Sequence, residues 1–197
     1  MKNKNLLNPW IAIWTKPRAC LREMMDRDEK RPILWVVLVT GLINAAAAIY
    51  VGWDKFAHLT PIKHASIIAL KLFLGTFLAY GYLSMASWLY MLVGNWLKGT
   101  AGYETLMKAI SWSFYPAMIT ALIGFIGLLI PNPFIELIFL VLYTIVGIWA
   151  FVIFLKLIAE AHQFSVWRAF ATFAIVVFAI ISVVLMISVI IALIRMK

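Results

Sequence analysis

Charged residues are excluded from long stretches of this chain. Five windows contain no aspartate, glutamate, lysine or arginine: 33–53, 72–97, 109–130, 137–155 and 169–194. Each window is about as long as the ~20 residues with which a helix crosses the hydrocarbon core of a bilayer. We therefore predict five transmembrane spans within a membrane domain of residues 33–197, at about 33–53, 68–97, 107–130, 133–156 and 168–194.

The apolar windows favour helices over the strands of a membrane barrel. Barrel strands alternate apolar and polar residues, whereas a stretch such as Phe173–Ile181 is apolar without alternation. The first apolar run begins only after residue 32, and a cleaved signal would place a shorter apolar region nearer the terminus. The predicted fold class is therefore all-α, a polytopic membrane protein whose first span anchors the chain.

Lysine and arginine are unequally distributed between the segments that flank the predicted spans. Residues 1–32 carry eight of the 17, and the predicted inner side carries 12 in total against four on the outer side. Positively charged residues are enriched in the cytoplasmic segments of membrane proteins. We therefore expect a cytoplasmic N-terminus and, after five spans, an external C-terminus.

Composition excludes an ordinary soluble enzyme. Hydrophobic residues make up 65% of the chain and charged residues 13%, against a usual quarter for the charged class. The net charge of +9 is explained by the topology and by attraction to anionic lipid head groups at the inner leaflet. Nucleic acid is not an expected partner, because no soluble basic face interleaved with aromatic residues lies outside the spans. Cys20, the single cysteine, is expected to be inert on the reducing side.

Residues 1–32 are the only sizeable segment outside the predicted spans. Thr15 is a candidate helix N-cap with Pro17 in the first turn, and apolar residues then recur at helical spacing. Trp10 and Trp14 have the amphipathic rings that are favoured at the membrane boundary. We predict a short amphipathic helix lying on the inner leaflet, with packing of its apolar face on the spans as the alternative.

Small residues recur at three- or four-residue spacing in the predicted spans. This spacing allows the backbones of neighbouring helices to approach closely. The candidate packing residues are Gly41, Ala45, Ala48 and Gly52 in the first span and Gly75 and Ala79 in the second. Pro116 in the third span predicts a bend.

The sequence contains no recognisable catalytic constellation. A zinc-protease helix, a nucleophile elbow, a phosphate loop and a dinucleotide fingerprint are all missing from it. Asp54, His58 and His64 share the first outer loop, but a metal site would need a further fixed ligand and a second shell. We therefore predict no catalytic residue, no metal and no cofactor. Asn44, in the middle of the first span, is more typical of helix–helix hydrogen bonding than of a transport site.

Short motifs outside and at the edges of the spans resemble the prokaryotic branch of the Yip-one domain family, over about residues 8 to 194. They are Asn8-Pro9-Trp10, Ile13-Trp14, Pro17-Arg18, Gly102-Tyr103, Trp112-Ser113 with Pro116, Ala159-Glu160, Phe164-Ser165 and Trp167-Arg168. The resemblance implies a five-span protein with a cytoplasmic N-terminus and a C-terminus outside or in the lumen. For a prokaryotic member this means the inner membrane.

Eukaryotic relatives in this family bind small Rab/Ypt GTPases and act in traffic between the endoplasmic reticulum and the Golgi. Their N-terminal region is usually a long cytoplasmic segment with its own docking motif, whereas residues 1–32 here are short and basic. The resemblance therefore does not support GTPase binding by this chain.

Our leading hypothesis is a non-enzymatic membrane scaffold or adaptor, because the motif residues gather on the predicted cytoplasmic side. They define a candidate docking surface for a protein or a lipid head group: Trp10, Trp14, Arg18, Gly102, Tyr103, Glu160, Phe164, Trp167 and Arg168. The same aromatic residues could instead serve only as membrane-interface anchors. The expected partners are anionic head groups and an unidentified membrane or cytoplasmic protein, and a homo-oligomer is left open.

Two residues of opposite charge, Glu160 and Arg168, flank the turn into the fifth span. As an exposed pair they would contribute only ~0–1 kcal/mol, so charge reversal should hardly affect folding.

The alternative function is a small-molecule or ion transporter, or a subunit of one. It is motivated by Asn44, the Pro116 bend and the glycine-bearing helices. An intramembrane enzyme would require catalytic groups that face each other within the spans.

Overall fold

A computed structural model describes residues 8–26, 33–43, 61–128, 130 and 132–195. Within these residues the chain forms seven helices and no strand, which confirms the all-α fold class. The helices are α1 Pro9–Thr15, α2 Pro17–Asp26, α3 Ile33–Ile43, α4 Pro61–Trp96, α5 Tyr103–Leu128, α6 Pro133–Ala161 and α7 Val166–Arg195.

Three helices in the described part of the chain are long and apolar enough to cross a membrane: Ala65–Trp96, Pro133–Ala161 and Val166–Arg195. These support a polytopic membrane protein, but the predicted count of five spans is not supported. α3 is a shorter apolar helix, and the rest of the predicted first span lies outside the described residues. α5 carries Glu104 and Lys108 in its first two turns and is not among the three.

The core lies at one end of the bundle, where the start of α5 meets the end of α6. Leu106 and Ala109 on α5 and Leu157 and Ile158 on α6 are fully buried there. We call this region, formed by the ends of α4 and α6 and the starts of α5 and α7, the packed end. By contrast, α7 is exposed from Phe178 onward, as expected for a helix surrounded by lipid, which is as apolar as its own side chains.

The N-terminal segment packs on the bundle, which is the second of the two predicted alternatives. Ile13 and Leu21 are buried, and α2 contacts both α5 and α6. The Nε1 group of Trp149 on α6 donates a hydrogen bond to the Trp14 carbonyl over 3.2 Å. The apolar face that was predicted to lie on the leaflet is therefore covered by protein.

The predicted cap at Thr15 is wrong, because two short helices replace the one expected. Thr15 is the last residue of α1, and Asn8 caps that helix by accepting the backbone N–H of Trp10 at 3.1 Å. α1 and α2 each begin with a proline, at Pro9 and Pro17. Proline suits the first helical position because its backbone nitrogen has no hydrogen to leave unsatisfied there.

α3 and α4 approach closely at a pair of glycines. A Cβ atom on Gly41 would lie 2.7 Å from the Cα of Thr76, and one on Gly75 would lie 2.8 Å from the Gly41 carbonyl oxygen. Ala79, the next small residue on α4, is buried. The other packing residues of the predicted first span, Ala45, Ala48 and Gly52, lie outside the described residues. Pro116 is fully buried within α5, and the helix continues on both sides of it.

Candidate docking surface at the packed end

A buried carboxylate joins the N-terminal segment to the bundle. Glu160, on the last turn of α6, is only 4% exposed. The Arg22 Nε group donates to its Oε1 atom, and the Arg18 Nε group lies 3.9 Å from its Oε2 atom. Gln163 donates from Nε2 to the same Oε1 atom at 3.3 Å. Because Arg18 and Arg22 are four residues apart, both project from one face of α2.

The predicted exposed pair between Glu160 and Arg168 is wrong. Glu160 faces α2, and its ion pairs in the described part of the chain are with Arg18 and Arg22. Arg168 is exposed, and its backbone N–H bonds to the Ser165 hydroxyl at 3.4 Å at the start of α7. The turn after α6 therefore separates the two charges instead of pairing them.

His162 connects the two loops of the packed end. The Ala101 backbone N–H donates to His162 Nδ1 at 3.3 Å, so that nitrogen carries no proton. The other ring nitrogen, Nε2, lies 3.1 Å from the Tyr90 carbonyl and is therefore the protonated donor of a neutral imidazole. The Thr100 backbone N–H donates to the His162 carbonyl at 3.2 Å. The turn after α6 is thereby tied both to α4 and to the loop between α4 and α5.

The imidazole ring fills a slot that only glycine leaves open. A Cβ atom on Gly94 or on Gly99 would overlap the His162 ring. Phe164 stacks on the ring, with 4.9 Å between centroids and 5° between planes. Burial lowers the pKa of His162 below its ordinary value of 6.5, because the charged form loses its hydration. His162 was not among the predicted site residues, and no local signal marks it, since the hydrogen-bond partners of its ring lie 61 and 72 residues away.

Aromatic rings join α1 to α5. The Trp10 ring lies 4.1 Å from that of Tyr115 and 6.0 Å from that of Trp112, measured between centroids. On α6, the Lys156 Nζ atom lies 5.0 Å from the centroid of the Trp149 ring, a cation–π distance. Trp149 is the residue that bonds to the Trp14 carbonyl. These contacts give the tryptophan-rich N-terminal motif a role in packing.

The structure brings seven of the nine predicted docking residues to the packed end, with different exposures, whereas Trp10 and Trp14 on α1 lie against the middle of α5 and α6. Trp10, Gly102, Trp167 and Arg168 are exposed, Trp14, Arg18 and Tyr103 are partly buried, and Glu160 and Phe164 are buried. Trp167 is 82% exposed, and so is Trp96 at the end of α4. Trp96 was not among the predicted residues, although a tryptophan next to the end of a charge-free window could have indicated it.

The residues considered for metal binding or transport lie mostly outside the part of the chain that the structure describes. Asn44, Asp54 and His58 lie outside the described residues, as does the side chain of His64. In the part of the chain that the structure describes, no three histidine, cysteine, aspartate or glutamate residues group as metal ligands would. Cys20 is buried on α2.

Nearly the whole chain matches one known protein family. The family model for the Yip1 domain matches residues 11–188, from α1 into α7, and includes Glu160 and His162. No curated protein and no solved structure matches the chain. On the match across nearly its whole length, this integral membrane protein belongs to the Yip1 domain family.

Proposed function

We propose that this Yip1-family protein is a non-enzymatic membrane scaffold that docks a membrane or cytoplasmic protein at its packed end. The observation that supports this most strongly is the burial of Glu160 between α6 and α2. The ion pair between Glu160 and Arg22 holds α2 beside the turn after α6. His162 in turn holds that turn beside the loop before α5. Three segments that are distant in sequence thus form one continuous surface.

The exposed side chains on this surface are of the kinds that dominate protein interfaces. Trp96 and Trp167 are largely exposed, and Arg22 and Arg168 present cationic groups on the same end. Tryptophan and arginine are enriched among the residues that contribute most to binding energy. The buried members, Glu160 and Phe164, would act by positioning this surface.

We also propose five spans, with the packed end in the cytoplasm of a prokaryotic inner membrane. α5 has 26 residues, and at ~1.5 Å per residue a helix of this length exceeds the ~30 Å hydrocarbon core. α3 opens the charge-free window 33–53, and residues 44–53 of that window lie outside the described residues. The excess of lysine and arginine on this side supports the orientation.

Site-specific photocrosslinking in native membranes tests the docking proposal. A crosslinker at Trp167 or Gly102 should capture a discrete protein, whereas one at Asn132, beyond the opposite end of α6, should not. Capture of a specific protein only from Asn132 would contradict the proposal. Crosslinks to lipid alone from Trp167 and Gly102 would assign these residues to membrane anchoring instead.

The described polar side chains of the spans favour a scaffold over a transporter. The hydroxyls of Ser87, Ser111, Thr120 and Thr172 each donate to the carbonyl four residues earlier in the same helix. These groups are therefore already satisfied and offer little to a polar substrate. Movement of a solute or ion into liposomes by the purified protein, abolished by Asn44→Leu, would overturn the scaffold proposal.

A further inference from the structure

A cavity of about 410 Å³ lies between α4, α5, α6 and α7. Aromatic rings form its wall nearest the packed end. Tyr90 on α4 meets Phe154 on α6 edge to face at 5.4 Å, and Phe151 meets Phe173 on α7 at 4.9 Å between centroids. A cavity of this size has the volume of a ligand site.

Two hydroxyl side chains in the wall form hydrogen bonds within the protein itself. Ser113 donates its hydroxyl hydrogen to the Ile110 carbonyl at 2.6 Å, and Thr120 donates to the Pro116 carbonyl at 3.0 Å. What these side chains present to the cavity is therefore largely apolar. The hydroxyls of Tyr82, Tyr90 and Tyr143 are the other polar side-chain groups of the lining, and the remaining lining residues are apolar. The chamber therefore favours a mainly apolar ligand.

The cavity opens sideways, on the flank of the bundle. Tyr82 on α4 and Tyr143 on α6 both line it and are both exposed on the outer surface of the helices. α4, α6 and α7 are the three helices that are long and apolar enough to cross a membrane. A bilayer crossed by these helices would present lipid hydrocarbon, not water, to this opening.

The length of the cavity matches the depth of one leaflet. Along α6 its lining runs from Tyr143 to Phe154, which is about 16 Å at the rise of an α-helix. One leaflet supplies half of a hydrocarbon core that is ~30 Å thick. Gly147 lies between those two residues and leaves this part of the cavity unfilled by a side chain. A Cβ atom added there would meet only the Thr120 methyl group, at 3.5 Å.

We propose that this cavity binds one acyl chain of a bilayer phospholipid, inserted through the opening beside Tyr82 and Tyr143. The apolar lining, the lateral opening onto hydrocarbon and the leaflet-length axis all match this ligand. The site is separate from the docking surface at the packed end, so either proposal can fail without the other.

The full-length protein in vesicles of phosphatidylethanolamine and phosphatidylglycerol tests this proposal, with a photoactivatable diazirine on the acyl chain of a tracer lipid. Labelling assigned by mass spectrometry should reach Ala150, which lines the cavity and is buried from the outer surface. Labelling confined to outward residues such as Ile148 in the wild-type protein would overturn the proposal.

Matched substitutions on α6 separate cavity binding from general lipid contact. Gly147→Phe fills the cavity and should abolish labelling of Ala150, whereas Ile148→Phe, on the exposed neighbouring position, should leave that labelling in place. Undiminished labelling of Ala150 in a folded Gly147→Phe protein would contradict acyl-chain binding. If Gly147→Phe lowers the unfolding temperature, Ala117→Leu on α5 is used in its place, because Ala117 lines the same cavity. This variant must also lose the labelling of Ala150.

Discussion

Arg22 on α2 donates a hydrogen bond to the carboxylate of Glu160 on α6, across 138 positions of the chain. The two partners differ sharply in their surroundings, because the Arg22 side chain is 66% exposed and that of Glu160 is 4% exposed. An exposed guanidinium can exchange its partner for water, but a buried carboxylate cannot. The pair therefore stabilises the position of α2 mainly by satisfying Glu160.

Replacing Arg22 should destabilise the fold more than replacing its neighbour. Arg22→Ala leaves the buried Glu160 carboxylate short of a donor, which typically costs ~1–3 kcal/mol. Arg18→Ala should cost ~0–1 kcal/mol, because its Nε group lies 3.9 Å from the carboxylate. The free energy of unfolding in detergent measures both changes. Lys16→Ala is the control, because Lys16 is exposed and is not one of the ion-pair partners of Glu160. Equal losses for all three variants would show that the carboxylate does not depend on Arg22.

Acid should weaken the packed end through His162. Burial lowers the pKa of His162 in the folded state below the 6.5 of the unfolded chain, so the unfolded state binds more protons as pH falls. The stability from neutral His162 is fully present above about pH 6.5 and is lost below it, with a slope of at most ~1.4 kcal/mol per pH unit.

The measurement is unfolding stability against pH for wild type and His162→Gln. The variant lacks the titrating ring, so its stability should be lower at neutral pH and should fall less between pH 7 and 5. Parallel curves for the two proteins would assign the acid sensitivity to other groups.

Adding one methyl group beside His162 should also disrupt the packed end. A Cβ atom on Gly94 overlaps the imidazole ring, and overpacking of this kind typically costs ~1–3 kcal/mol. Gly94→Ala should therefore be destabilising even though alanine is the better helix former. Gly102→Ala is the matched control, because nothing lies within 4 Å of its added Cβ atom. Thermal unfolding that is unchanged in both variants would show that the ring can move aside.

The contact between α3 and α4 should be as sensitive to an added methyl group at Gly41 as the packed end is at Gly94. Its Cβ atom would meet the backbone of Thr76, with 2.7 Å to the Cα atom, and backbone cannot rotate away as a side chain can. Gly41→Ala is expected to lower stability by ~1–3 kcal/mol. Gly81→Ala on α4 serves as the control, since its added Cβ atom would have no neighbour within 4 Å. A loss of stability in Gly81→Ala alone would contradict this account of the helix contact.

Membrane orientation is measurable by cysteine labelling in a Cys20→Ser background. With the packed end in the cytoplasm, Asn132→Cys should react with an impermeant thiol reagent added outside intact cells, and Thr100→Cys should not. Both positions lie in connections between helices, so both are accessible to reagent from one side or the other. Reaction at Thr100→Cys and protection at Asn132→Cys would reverse the proposed topology.

The sequence by itself determined the all-α membrane class and the main positions of the long helices. Exclusion of charge from a bilayer is a local requirement, and it acts on each residue of a span whatever its neighbours are. α4 accordingly covers all but the last residue of the predicted span 68–97, and α6 and α7 cover the predicted spans 133–156 and 168–194 completely. Helix connectivity then sufficed to collect most of the predicted docking residues at one end, but not Trp10 and Trp14.

Only the tertiary structure decided what these residues contact. An apolar face is satisfied equally by lipid and by protein, so periodicity alone left two placements for the N-terminal segment, and packing on α5 and α6 was the one found. Glu160 has a nearby sequence neighbour of opposite charge in Arg168, yet its partner is Arg22 because burial brings α2 within reach. His162 depends on Tyr90, Gly94 and Ala101. Such contacts join residues far apart in the chain, and no local pattern of residues records them.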